Sequence, residues 1–125
     1  MENKKVVLIE DDADIYSLLA GRLQKEGYLV KRANNAKEGM ALIESENPNL
    51  VLTEDAILGE DNFLSVVAKM QQKENLKKIP IMTIFNSFQP SQIEKAKNFG
   101  VFVWAVKTEF NLDEIVKKVK TLLSG

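Results

Sequence analysis

A chain of 125 residues that is 45% hydrophobic and 28% charged is sized for one compact domain with one core, read here as spanning residues 1–125. Its 17 Lys and Arg against 18 Asp and Glu leave a net charge of -1, too little for long-range attraction to nucleic acid or anionic lipid. Cysteine and histidine are both absent, which excludes disulfides, thiolate or imidazole metal sites, Ser-His-Asp catalysis and a phosphohistidine donor.

The first five residues are polar, and the apolar run at 6–9 is far too short for a signal peptide or a membrane span. A cytoplasmic protein is expected. Residues 6–9 read as a first strand that runs straight into Glu10-Asp11-Asp12. Ile15, Leu18, Leu19 and Leu23 then recur at helical spacing, with Gly27 suited to the helix exit. Residues 29–32 read as the second strand. Asn35 with Glu38 places a capping residue and an acid at the spacing that helix starts prefer, ahead of a helix around Met40 and Ile43.

The third strand, 50–53, leads into Glu54-Asp55, and Phe63, Val66, Val67 and Met70 form the stripe of the next helix. Residues 81–84 read as the fourth strand, 91–99 as a helix closed by Gly100, and 102–106 as the fifth strand, which ends at Lys107. Leu112, Ile115, Val116, Val119, Leu122 and Leu123 line the last helix, opened by Asn111 and Glu114. Most strand runs are continuously apolar, as in strands covered on both faces. Strict alternation with short connections implies an α/β fold: a parallel sheet with crossover helices, whose sites lie at the carboxyl ends of the strands.

Acid gathers at those ends, after the first strand and after the third. Carboxylates brought together there repel one another unless a cation intervenes, and a hard divalent ion with oxygen ligands is the natural remedy. Lys107, at the end of the fifth strand, places an ammonium at the same edge, able to neutralise a carboxylate or hold a phosphoryl oxygen. Taken singly, the three acids at 10–12 also fit a plain acidic start to the first helix, and Lys107 fits a solvated strand end.

Nearly the full length of the chain resembles the receiver (CheY-like) domain family of bacterial two-component phosphorelay signalling. The resemblance lies in the acidic cluster after the first strand, in the segment 48–54 continuing through Gly59, Asp61 and Phe63, and in Gly100 with Lys107. It implies a flavodoxin-like (βα)5 three-layer sandwich with strand order 2-1-3-4-5. It also implies magnesium or manganese held by an acid pair, and an aspartate that takes phosphoryl from a histidine kinase. Glu10 and Asp11 fall on the acid pair, Asp11 on the direct ligand, and Ala56 on the backbone carbonyl offered to the metal. Lys107 falls on the phosphate-contacting lysine.

Several positions depart from the family pattern. Glu54 stands at the phosphoacceptor position, one methylene longer than Asp, roughly 1.5 Å, where misplacement by about 1 Å can cost on the order of a hundredfold in rate. Phe85 stands where a Ser or Thr hydroxyl bonds the phosphoryl group, and it offers no donor. Trp104 occupies the aromatic switch position. Thr108 replaces a cis proline, and a cis bond without proline costs about 3 kcal/mol, which leaves the Lys107–Thr108 peptide open between cis and trans; one residue is inserted before Phe110, and Asn62 replaces a glycine.

Loss of acceptor and coupling hydroxyl together implies a pseudo-receiver: a phosphorylation-independent interaction module with a protein partner such as a kinase or effector, no bound nucleic acid or membrane, and no enzymatic activity beyond self-catalysed phosphotransfer. A working receiver accepting phosphoryl at Glu54 or Asp55 is the alternative, although period-two geometry turns Asp55 to the opposite face unless a bulge intervenes. A flavin-type carrier is a remoter one, given the lack of a GxGxxG, a Walker loop or a phosphate-cradling loop after the first strand. Lys117, Lys118 and Lys120 read as a solvated face of the last helix, and Phe88 as an isolated exposed aromatic.

Overall fold

The computed structural model describes residues 3–55, 63–86, 90–101, 103–106 and 111–124. Strands and helices alternate in the order β1 (Lys5–Ile9), α1 (Ala13–Lys25), β2 (Leu29–Ala33), α2 (Ala36–Glu46), β3 (Leu50–Glu54), α3 (Phe63–Gln71), β4 (Ile81–Phe85), α4 (Pro90–Asn98), β5 (Val103–Val106) and α5 (Leu112–Leu123). The strands form one parallel sheet in the order β2-β1-β3-β4-β5. Helices cover both faces, giving the flavodoxin-like three-layer sandwich.

Period-two alternation within the apolar strands builds two cores. Val7, Ile9, Val51, Ile81 and Phe85 face α2, α3 and α4, whereas Val6, Leu8, Leu52, Met82 and Ile84 face α1 and α5. Every residue of β3 and β4 is buried, Thr53, Glu54 and Thr83 among them. Their ladders carry them one residue beyond the expected ends at 53 and 84: Glu54 pairs with Ile84, and Phe85 with Val106.

The two edge strands depart from that pattern. In β2, Leu29 and Lys31 are exposed while Ala33 is buried. In β5, Val103, Trp104 and Ala105 are only half-buried, and Lys118 of α5 donates to the Trp104 carbonyl at 2.8 Å. Such a bond blunts an open edge that would otherwise template a further strand. Lys118 is thereby part of the packing rather than of a solvated face.

Local signals are met at most helix ends. Asn35 Oδ1 accepts from the Glu38 amide at 2.9 Å while Glu38 Oε2 accepts from Asn35 Nδ2 at 3.1 Å, and Asn111 Oδ1 accepts from the Glu114 amide at 3.1 Å. Gly27 and Gly100 leave their helices at φ of 93° and 91°, where a side chain would be strained. One expectation about α1 fails: Leu18 is 54% exposed. The buried row follows i+4 spacing through Ile15, Leu19 and Leu23, joined by Ala20, and Leu18 sits about 100° around the helix from Leu19. None of the described helices is long and apolar enough to cross a membrane.

Gly39 lets α2 approach β1 closely, since a Cβ built there would lie 2.5 Å from Ile9 Cδ1 and 3.0 Å from Ile9 Cγ1. Overpacking a fully buried site costs about 1–3 kcal/mol, and alanine recovers about 1 kcal/mol of helix propensity. Gly39→Ala is therefore expected to lose about 1 kcal/mol in urea denaturation. A variant as stable as the parent would show that Ile9 has slack.

Candidate functional site

The site forms where two central strands stop side by side. Ile9 of β1 lies in register with Thr53 of β3, so the next residues, Glu10 and Glu54, emerge together at the carboxyl edge of the sheet. Glu10 is 1% and Glu54 4% exposed, and Asp11 is half-buried. One carboxylate oxygen from each of Glu10, Asp11 and Glu54 lies within 4.8 Å of the others. Thr53 Oγ1 donates to the Glu54 carbonyl at 3.0 Å, fixing the end of β3.

Three carboxylates gathered this closely suit a positive charge among them. The ligand set is entirely oxygen, which suits magnesium, manganese or calcium and not a thiophilic metal. The residues present therefore fit a hard divalent cation.

The acids of the β1–α1 loop divide their work. Asp12 turns away to cap α1, its Oδ1 accepting from the amides of Asp14 at 2.9 Å and Ile15 at 3.1 Å. The plain helix-start reading thus holds for Asp12 alone. Glu10 Oε1 accepts from the Asp12 amide at 3.0 Å, and the Glu10 amide donates to the Ala33 carbonyl at 3.0 Å. Arg32 donates through Nε to the Glu10 carbonyl at 3.2 Å and through Nη2 to the Asp11 carbonyl at 3.3 Å, with its guanidinium carbon 4.8 Å above the Tyr16 ring. Sequence reasoning passed over Arg32 and Tyr16. The available signal was a guanidinium at the exit of the strand beside the acid-bearing one.

Asp55 lies one residue beyond β3. Its amide donates to the Ile84 carbonyl at 3.0 Å, and its Oδ1 accepts from the Asn86 amide at 3.1 Å. The carboxylate therefore reaches toward the exit of β4, and it is not a member of the group formed by Glu10, Asp11 and Glu54.

At the end of β4, Phe85 is fully buried. Its ring meets Phe63 edge-on at 5.5 Å and 84°, and Trp104 at 6.4 Å and 79°. A continuous aromatic run thus links the first residue of α3 to β5. Thr83, buried with Oγ1 making no hydrogen bond, is no replacement for a hydroxyl at position 85, because it lies two residues back along the strand, about 6.6 Å. Lys107 and Ala56 lie outside the described residues, as do Gly59, Asp61, Asn62, Phe88, Thr108 and Phe110.

Residues 6–120 match the family model described as the response regulator receiver domain. The chain is 29% identical over 123 residues to sporulation initiation phosphotransferase F of Bacillus subtilis, a match covering 98% of this chain and 96% of that protein. It is 26% identical over 122 residues to the transcriptional regulatory protein PdtaR of Mycobacterium tuberculosis, covering 97% of this chain but 57% of that longer protein. In fold it is similar to the chemotaxis response regulator CheY4 of Vibrio cholerae, with a TM-score of 0.89 at 21% identity, covering 98% of this chain and all of that one, 100%. A CheY-like receiver domain protein from Methanospirillum hungatei superimposes with a TM-score of 0.88 at 23% identity, covering 98% and 94% of the two chains.

Proposed function

The chain belongs to the response regulator receiver domain family of two-component signalling, and from that premise we propose that it acts as a protein-interaction module whose output does not depend on phosphorylation. Receiver domains bind magnesium at an acidic pocket and work by meeting kinases or effectors. In this chain Glu54 takes the acceptor's place, where its carboxylate imitates a phosphorylated aspartate. Phe85 takes the place of the coupling hydroxyl, and Trp104 that of the aromatic switch.

The observation that carries this reading is the burial of Phe85 between Phe63 and Trp104. A hydroxyl that moves toward a phosphoryl group is replaced by a fully buried ring in contact with two other aromatic rings, so the coupling element is built into the core. The partner is a protein, a kinase or an effector, and the setting cytoplasmic. With acetyl phosphate and magnesium, the intact mass of the protein is expected to stay unchanged. A stable phosphoryl adduct at Glu54 or Asp55 would favour the second reading, a working receiver, for which the preserved group of Glu10, Asp11 and Glu54 speaks.

Glu10, Asp11 and Glu54, with the Ala56 carbonyl, are the ligands proposed for magnesium or manganese, and Lys107 the cation that pairs with Glu54. The metal supplies positive charge among carboxylates that would otherwise repel one another. Binding to the native state stabilises it by about 2.7 kcal/mol at a hundredfold excess over Kd. The melting temperature is therefore expected to rise with magnesium, and indifference to millimolar magnesium would remove the metal from the proposal.

A further inference from the structure

We propose that Arg32 is the positioning residue of the acidic pocket, an inference that rests on the metal-binding reading above. Its two hydrogen bonds go to the carbonyls of Glu10 and Asp11, the consecutive residues whose carboxylates gather with that of Glu54. A planar guanidinium can hold two neighbouring carbonyls at a fixed separation, which a single ammonium cannot. The Tyr16 ring beneath it ties the same group to α1. Arg32 thus bridges the edge strand β2, the acid-bearing loop and the helix that follows.

The loop is held at both ends as well, by the Glu10 amide on Ala33 and by the Asp12 cap. Between those anchors, Arg32 sets the orientation of the two peptide planes that carry the ligands. Without it two partly buried carbonyls lose their partners, the planes are free to turn, and the carboxylates spread from the geometry a small hard cation demands. The guanidinium also carries a positive charge near the pocket, which by itself opposes a divalent cation. The two effects have opposite signs: removing a positioner weakens metal binding, whereas removing a mere charge strengthens it.

The test is calorimetric titration of manganese into the parent protein, Arg32→Ala and Arg32→Lys, with circular dichroism to establish the fold and amide exchange followed at Asp12 and Asp14. Arg32→Ala is expected to bind manganese roughly tenfold or more weakly, the usual scale for losing an outer partner of a metal site, with faster exchange at both amides. Arg32→Lys keeps the charge and is expected to recover only part of the affinity. Equal or tighter binding by a folded Arg32→Ala, or full recovery by Arg32→Lys, overturns the assignment. Should Arg32→Ala not fold, the lysine variant decides alone: weakened binding supports the assignment and parental affinity overturns it. A parent protein that binds no manganese overturns the metal reading itself, a result distinct from unchanged affinity across the variants.

Discussion

Glu54→Asp is expected to take up a phosphoryl group from acetyl phosphate with magnesium at least about a hundredfold faster than the parent chain. The carboxylate of Glu54 is nearly buried and lies within 4.8 Å of those of Glu10 and Asp11. Phosphotransfer to a carboxylate is chiefly a matter of positioning and electrostatic clamping, so on the proposed reading the roughly 1.5 Å added by one methylene carries the attacking oxygen past its productive place. Aspartate withdraws it to the family's position while leaving the other two acids untouched. The rate is read from intact-mass time courses of parent and variant side by side. A variant as inert as the parent would shift the block from Glu54 to Phe85 or to the loop at Lys107.

The gain should be chemical without being conformational. On the proposed reading Phe85 still fills the place of the coupling hydroxyl, and its ring packs against Phe63 and Trp104. Trp104 is the single tryptophan of the chain, so phosphorylated Glu54→Asp is expected to keep the fluorescence of its unphosphorylated form.

Phe85→Ala is expected to lose about 3–5 kcal/mol of stability, the range for truncating a large aromatic in a packed core. The ring is fully buried and touches aromatic partners on both sides, and edge-on pairs add about 0.5–1.5 kcal/mol each beyond the area they bury. Against a total of about 5–15 kcal/mol for a domain of this kind, that is a large fraction of what holds the fold. Equilibrium urea denaturation measures it. A loss under about 1 kcal/mol would mean that the cavity collapses freely, and the ring could then not be the fixed element that the proposed function requires.

The fold was legible because its signals are local. Short apolar runs mark the strands, and the Asn35–Glu38 and Asn111–Glu114 spacings mark helix starts with hydrogen bonds that the structure contains. Gly27 and Gly100 stop helices in a conformation that any side chain strains. Strand ends were less legible. Whether Glu54 and Phe85 extend β3 and β4 depends on partners in the neighbouring strands, Ile84 and Val106, which lie far away along the chain.

The amino-acid order by itself determined the alternation of strands and helices, the parallel sheet that this demands, and the emergence of acid at the exits of two strands. Each of these follows from a period, a cap or a connection length within a few residues. The resemblance brought Glu10, Asp11 and Glu54 together, but only the tertiary structure decided that Asp12 turns away to cap a helix, that Leu18 faces outward, that Arg32 grips the carbonyls of the acid loop, and that the Phe85 ring meets those of Phe63 and Trp104. Those outcomes depend on the direction in which a side chain leaves the backbone and on which remote element meets it there. Neither is encoded in the spacing of residues along a single segment.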